Sequence, residues 1–146
     1  MHPYPHVYRV SAAGSQAGLV TVASPGLPDI ETAPPPEFDG PGGAWSPENL
    51  LCAALADCFI LTFRGISRAA RLEWLKLECR VEGTLERVEG SAWFTRYANF
   101  ATLTVPAGSD VAKARALLER AEKGCLISNS LRGVRTLEAE VIAAPP

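Results

Sequence analysis

Hydrophobic positions change their spacing several times along the chain, and each change marks an element. Two short runs, residues 6–11 and 18–23, predict strands with Gly14 and Ser15 in the turn between them. Residues 24–47 carry "APPPEFDGPGGAWSP", a density of proline and glycine that forbids helix and discourages a central strand. An ordered connection within one domain is expected there, because too few residues precede it to form a domain. Helical spacing follows. Ser46 is a good N-cap, Pro47 fits the first helical position, and Glu48 sits where the helix dipole favours negative charge. The pattern runs to about Arg71, with Asp57, Arg64, Arg68 and Arg71 as a narrow polar stripe on an otherwise apolar cylinder. Such a helix is expected to be buried on nearly all sides, and a second copy of the chain is its natural cover.

Residues 74–88 switch to period two, with Leu75, Leu77, Cys79 and Val81 on one face and Trp74, Lys76, Glu78 and Arg80 on the other. A second long strand, residues 92–105, follows Glu89 and Gly90, so the pair predicts a hairpin. Ser109 or Asp110 caps a further helix whose apolar face is Val111, Ala114, Leu118 and Ala121, and Gly124 ends it. A last strand, Thr136 to Ala143, points Leu137, Ala139 and Val141 inward. Strands with interspersed helices, joined by hairpins rather than crossovers, predict an α+β fold in a single domain over residues 1–146.

Composition narrows the function. A net charge of −2 gives no basic surface for nucleic acid, so neither DNA nor RNA is an expected partner. The start, "MHPYPHVYRV", lacks the basic and apolar runs of a signal peptide, and Thr62 and Arg64 end the longest candidate for a membrane span. Four cysteines in such a chain fit a reducing cytoplasm better than a disulfide scaffold. No C-x-x-C pair is present, and the only histidines, His2 and His6, are separated by Pro3 and Pro5. No metal site and no cofactor are therefore expected.

The cysteines carry the candidate chemistry. Cys52 and Cys58, both in "LCAALADCFI", are about 9 Å apart along a helix and roughly 120° around it, too far to bond. Cys79 falls on the apolar face of its strand and Cys52 among leucines and alanines, so both read as packing. Cys58 shares a helix face with Ala54, Thr62, Gly65 and Ala69, which leave room for a ligand or another backbone. Burial there would make a thiol inert unless donors or a positive charge stand nearby, so the residues alone leave its role open. Cys125, in "EKGCLISNSL", follows a helix stop and begins a new turn, where free N–H groups ease ionisation; Ser128 and Asn129 offer further donors. A turn cysteine without chemistry is the other reading.

"SPENLLCAALADC", followed 67 residues after Cys58 by the cysteine of "CLISNSL", resembles the OsmC/Ohr family of osmotically inducible and organic-hydroperoxide-resistance proteins. The first motif is similar to that family's helix start with its peroxidatic cysteine, the second to its "CPVSN" segment. The resemblance implies an α+β OsmC-like fold, with antiparallel sheets packed around a long buried helix in an intertwined homodimer. It implies that Cys58 attacks an organic hydroperoxide, forming a sulfenic acid and releasing an alcohol. Cys125 would close a Cys58–Cys125 disulfide, which an external dithiol, typically on a lipoyl protein, reduces. Glu48 matches the carboxylate that holds the family's arginine. Ten residues place it about 15 Å along the helix from Cys58, out of contact. The chain departs from the pattern where that arginine belongs: the two places read "GSQAG" and "PPPEFDGP". Arg9, Arg64, Arg68 and Arg96 are other conceivable suppliers, and Leu126 stands where proline is usual. Three functions follow as expectations: a cytoplasmic thiol peroxidase, a non-catalytic OsmC-like dimer binding a small apolar ligand, or a redox sensor using the same disulfide.

Overall fold

The computed structural model describes residues 1–146, which separate into two units, Met1–Leu50 and Leu51–Pro146. The first is an antiparallel meander of β1 (Ser11–Ala13), β2 (Val20–Ala23) and β3 (Ile30–Thr32). Ser11 pairs with Ala23, and Val20 with Thr32. The first strand therefore starts five residues later than its apolar run predicts. A third strand forms inside the proline-rich stretch, where Ile30–Thr32 fits between Pro28 and Pro34 as a short edge strand. Ala33 N–H donates to the Trp45 carbonyl at 2.9 Å and ties the rest of the connection back to that edge.

Helix α1 (Pro47–Ala69) starts as the sequence predicts: the Asn49 N–H donates to Ser46 Oγ at 3.1 Å, and Ser46 Oγ donates to Asn49 Oδ1 at 2.9 Å. It ends in a Schellman turn with Arg71 at positive φ. Leu72 N–H reaches the Ser67 carbonyl and Arg71 N–H that of Arg68.

The second unit holds a sheet in the order β4 (Lys76–Val88), β5 (Ser91–Val105), β6 (Val134–Ala143), with α2 (Val111–Gly124) and the single turn α3 (Leu126–Asn129) between the last two. Glu89 and Gly90, both at positive φ, make the tight β4–β5 turn that matches strand twist. β6 runs parallel to β5, so the β5–α2–α3–β6 connection is a crossover and the sheet is mixed. The expectation of hairpins only, and of wholly antiparallel sheets, is thereby corrected.

Alternation sets the core. Leu77 on β4 and Tyr97, Asn99, Ala101, Leu103 and Val105 on β5 are buried, while Leu137, Ala139 and Val141 line the inner face of β6. Ala114, Leu117, Leu118 and Ala121 of α2 close over them with Phe59 and Phe63 of α1. Asp110, not Ser109, caps α2 through the Lys113 N–H at 2.9 Å. Trp74 packs on this core, edge-on to Phe63 and donating to Ser67 Oγ at 3.0 Å, while Leu75 is exposed. The two exchange their expected faces because β4 begins only at Lys76.

In this chain α1 buries one stripe, Leu55, Phe59, Phe63 and Ser67, and Leu61 is half exposed. Within one chain the i, i+4 spacing covers a single face, and the expected burial on nearly all sides rests on the second copy named as its cover. By length and composition alone α1 is long and apolar enough to cross a membrane, although, as expected, no uninterrupted apolar run in it reaches 18 residues. Its Phe59 and Phe63, however, form part of the core with α2 and the sheet.

Candidate functional site

The α1 stripe that enters the core leaves the adjoining face, on which Cys58 lies, half buried. Thr62, one turn on, places its hydroxyl 3.8 Å from Cys58 Sγ. The C-terminal end of α2 meets α1 at the same level: a Cβ on Gly124 would lie 3.6 Å from Thr62 Cγ2 and 3.9 Å from Ile66 Cδ1. The next residue is Cys125, fully buried, and its thiol lies close enough to that of Cys58 for Cys58 to raise its pKa. The crossover thus joins two cysteines 67 residues apart in sequence. All four cysteines are free thiols.

Cys125 stands at the N-cap of α3, and the hydroxyl and the backbone N–H of Ser128 lie near its sulfur. These donors favour ionisation, as the sequence suggests, but burial outweighs them and the Cys125 thiol is held above its ordinary pKa. The expectation of an easily ionised Cys125 is reversed. Proximity to Cys58 acts in the same upward direction.

Behind Cys125 lies a polar chain that sequence reasoning does not anticipate. Cys79 Sγ donates to Asn99 Oδ1 at 2.9 Å, and Asn99 Nδ2 donates to Glu122 Oε2 at 3.4 Å. Arg135 Nε is 3.7 Å from Glu122 Oε1, and its Nη1 donates to Asn129 Oδ1 at 2.8 Å. Asn99 and Arg135 both occupy inward positions of their strands, and polar residues on a core face are the signal that points to such a chain. Cys79, expected as core filling, packs against the core and also belongs to this chain. Burial first, then Glu122 and Cys125, push its thiol up to about 12. Leu55, Val81, Tyr97, Asn99, Glu122, Ser128 and Arg135 surround a cavity of about 10 Å³ beside it.

Cys52 is a packing residue. Its sulfur accepts from the Gly83 N–H, and burial raises its pKa despite that bond. Glu48 occupies the first turn of α1, as predicted, and its Oε2 is buried without a hydrogen-bond partner. Arg9, Arg64, Arg68 and Arg96 are exposed.

Residues 40–140 match the family model described as OsmC-like protein. The chain belongs to the OsmC-like family. A relative, the uncharacterized protein YmaD of Bacillus subtilis, is 29% identical over 109 residues, 73% of each chain. Among solved structures, an OsmC-like protein of unknown function from Vibrio cholerae superposes with a TM-score of 0.84 at 16% identity, covering 92% of this OsmC-like chain and 99% of its own. The organic hydroperoxide resistance protein OsmC of Legionella pneumophila gives 0.75 at 26% identity, over 96% and 99%. An organic hydroperoxide resistance protein from Elizabethkingia anophelis gives 0.78 at 20% identity, over 98% and 100%.

Proposed function

We propose that this OsmC-like protein is a cysteine-based thiol peroxidase that reduces organic hydroperoxides. The observation that carries the reading is the proximity of the Cys58 and Cys125 thiols, one half buried and the other fully buried. Attack of Cys58 sulfur on the peroxide breaks the O–O bond, leaving a sulfenic acid on Cys58 and releasing the alcohol once a proton is taken up. Cys125 then forms the S–S bond, its proton leaving with the sulfenic hydroxyl as water. An external dithiol, such as a lipoyl group, returns both thiols and is itself oxidised. Legionella and Elizabethkingia relatives named for organic hydroperoxide resistance support this substrate class.

The working form in this reading is a homodimer in the cytoplasm. Only 22% of the apolar window of α1 is buried within one chain, which leaves a face for a second copy. Glu48 fits the same picture. A buried carboxylate oxygen without a donor is costly, and a cationic side chain from the second copy would satisfy it.

Non-reducing peptide mapping after one equivalent of cumene hydroperoxide tests the chemistry. A Cys58–Cys125 crosslink within seconds is expected; Cys58→Ser should abolish turnover, and Cys125→Ser should leave one round of oxidation. A Cys58→Ser protein that reduces peroxide at the wild-type rate would sink the proposal. Wild-type thiols that stay reduced would favour the second reading, an apolar ligand-binding dimer, for which the missing early arginine speaks.

A further inference from the structure

Arg135 is tied to both sides of Cys125. Its Nε faces Glu122, three residues before the cysteine, at 3.7 Å, and its Nη1 donates to Asn129, four residues after it, at 2.8 Å. Asn129 is held a second time, because its Nδ2 donates to the Lys123 carbonyl at 3.2 Å. Glu122 is also held twice, by Arg135 and by Asn99 Nδ2, and its backbone carbonyl accepts from the Cys125 N–H at 3.4 Å. The Arg135 side chain is 29% exposed and that of Glu122 15%, so the pair is shielded more than a surface ion pair. A fork of planar donors suits this task, since one guanidinium can fix two acceptors at a set angle.

We infer that Arg135 is a positioning residue for the second chemical step: it bridges the end of α2 to the end of α3 and so holds the Cys125 sulfur toward Cys58. The inference deepens the peroxidase reading and rests on it. Arg135 sits opposite Tyr97 in the sheet, so its backbone is anchored by strand pairing rather than by the corner it braces. The α3 turn is only four residues long and cannot hold its own orientation. Without the bridge, Ser128 and Cys125 would move as a unit. Attack on the Cys58 sulfenic acid would then start from a less favourable geometry, which typically costs up to about a hundredfold in rate.

The test separates the two steps. Full-length Arg135→Gln is mixed with cumene hydroperoxide, and Cys58 sulfenic acid is trapped with a dimedone probe over time. The expected result is an unchanged rate of Cys58 oxidation together with a sulfenic acid that persists roughly ten to a hundred times longer than in wild type. Arg135→Lys, which keeps the charge but not the fork, should recover only part of the difference. Equal sulfenic acid lifetimes in Arg135→Gln and wild type overturn the inference. Should Arg135→Gln fail to fold, Glu122→Gln, which removes the ion pair while keeping an acceptor for Asn99, carries the same readout. Diamide provides a readout that needs no peroxidase activity, because it takes up the hydrogens of the two thiols as the disulfide forms. A crosslinking rate lowered in the variant supports the inference even if peroxide oxidises neither protein, whereas an equal rate overturns it.

Discussion

Cys52 and Gly83 offer a test in which packing and chemistry give opposite answers. A methyl group at Gly83 would sit 2.7 Å from Cys52 Sγ and 3.0 Å from Phe94 Cε1. Nonpolar atoms attract at about 3.5–4.0 Å, so the sulfur is roughly 1 Å inside contact. Overpacking of this kind typically costs about 1–3 kcal/mol. The entropy that alanine removes from the unfolded chain returns about 0.4–1 kcal/mol. Gly83→Ala should therefore destabilise the fold by about 1–2 kcal/mol. The urea midpoint should fall with an unchanged slope. Cys52→Ala removes the sulfur and should relieve the larger overlap, while Phe94 keeps the smaller one. The double variant should accordingly lose at least about 0.5 kcal/mol less than the sum of the two single changes. Peroxide turnover should match wild type in Cys52→Ala, since its sulfur serves packing. Strict additivity would refute the contact argument, and lost turnover in a folded Cys52→Ala protein would refute the assignment of Cys52 to packing.

Phe59, fully buried among α2 and sheet residues, should cost about 3–5 kcal/mol when changed to alanine, read as a lower urea midpoint. Alkaline pH should also destabilise the protein. Burial raises the pKa values of Cys52, Cys125 and Tyr97, and that of Cys79 to about 12. Below about pH 8.5 the thiols are protonated in both states, so their contribution is complete. Above it the unfolded chain releases protons first, and stability falls until Cys79 ionises in the fold near pH 12. Urea midpoints measured from pH 8 to pH 10.5 should decline more shallowly in Cys79→Ser; an equal slope would contradict the assignment.

Features written in consecutive residues are legible in the sequence alone. Ser46 before Pro47, Glu89 before Gly90 and the alternation along β4 and β5 each encode a local geometry, and each forms. Strand direction is different. Nothing in the alternation of Leu137, Ala139 and Val141 says whether β6 runs with β5 or against it, because both place those side chains inward. β3 is hidden by its flanking prolines, since pairing with β2 and not local propensity makes it a strand. At the site, the motifs single out Cys58, Cys125 and Glu48. The structure joins the two cysteines, and it surrounds Glu48 Oε2 without giving it a partner. Asn99 and Arg135 leave only a weak trace in the sequence, as polar residues at inward strand positions, and Glu122 on its helix leaves none. Their shared neighbour, the α2–α3 corner, exists only once the crossover has formed.

In the proposed cycle the burial of Cys125 would make the two ends of a Cys58–Cys125 disulfide unequal to a thiol arriving from solvent. Cys58 is half buried and Cys125 fully so, so the incoming sulfur reaches Cys58 first and Cys125 must depart. Departure is easier the lower the pKa of the leaving thiol, and burial raises that of Cys125. Access and leaving-group quality therefore pull against each other, with the nearby donors of Ser128 easing the departure. The first attack is then readily reversed by Cys125 itself. A reductant carrying a second thiol escapes that reversal by closing its own ring, which gives a dithiol an advantage that a single thiol lacks.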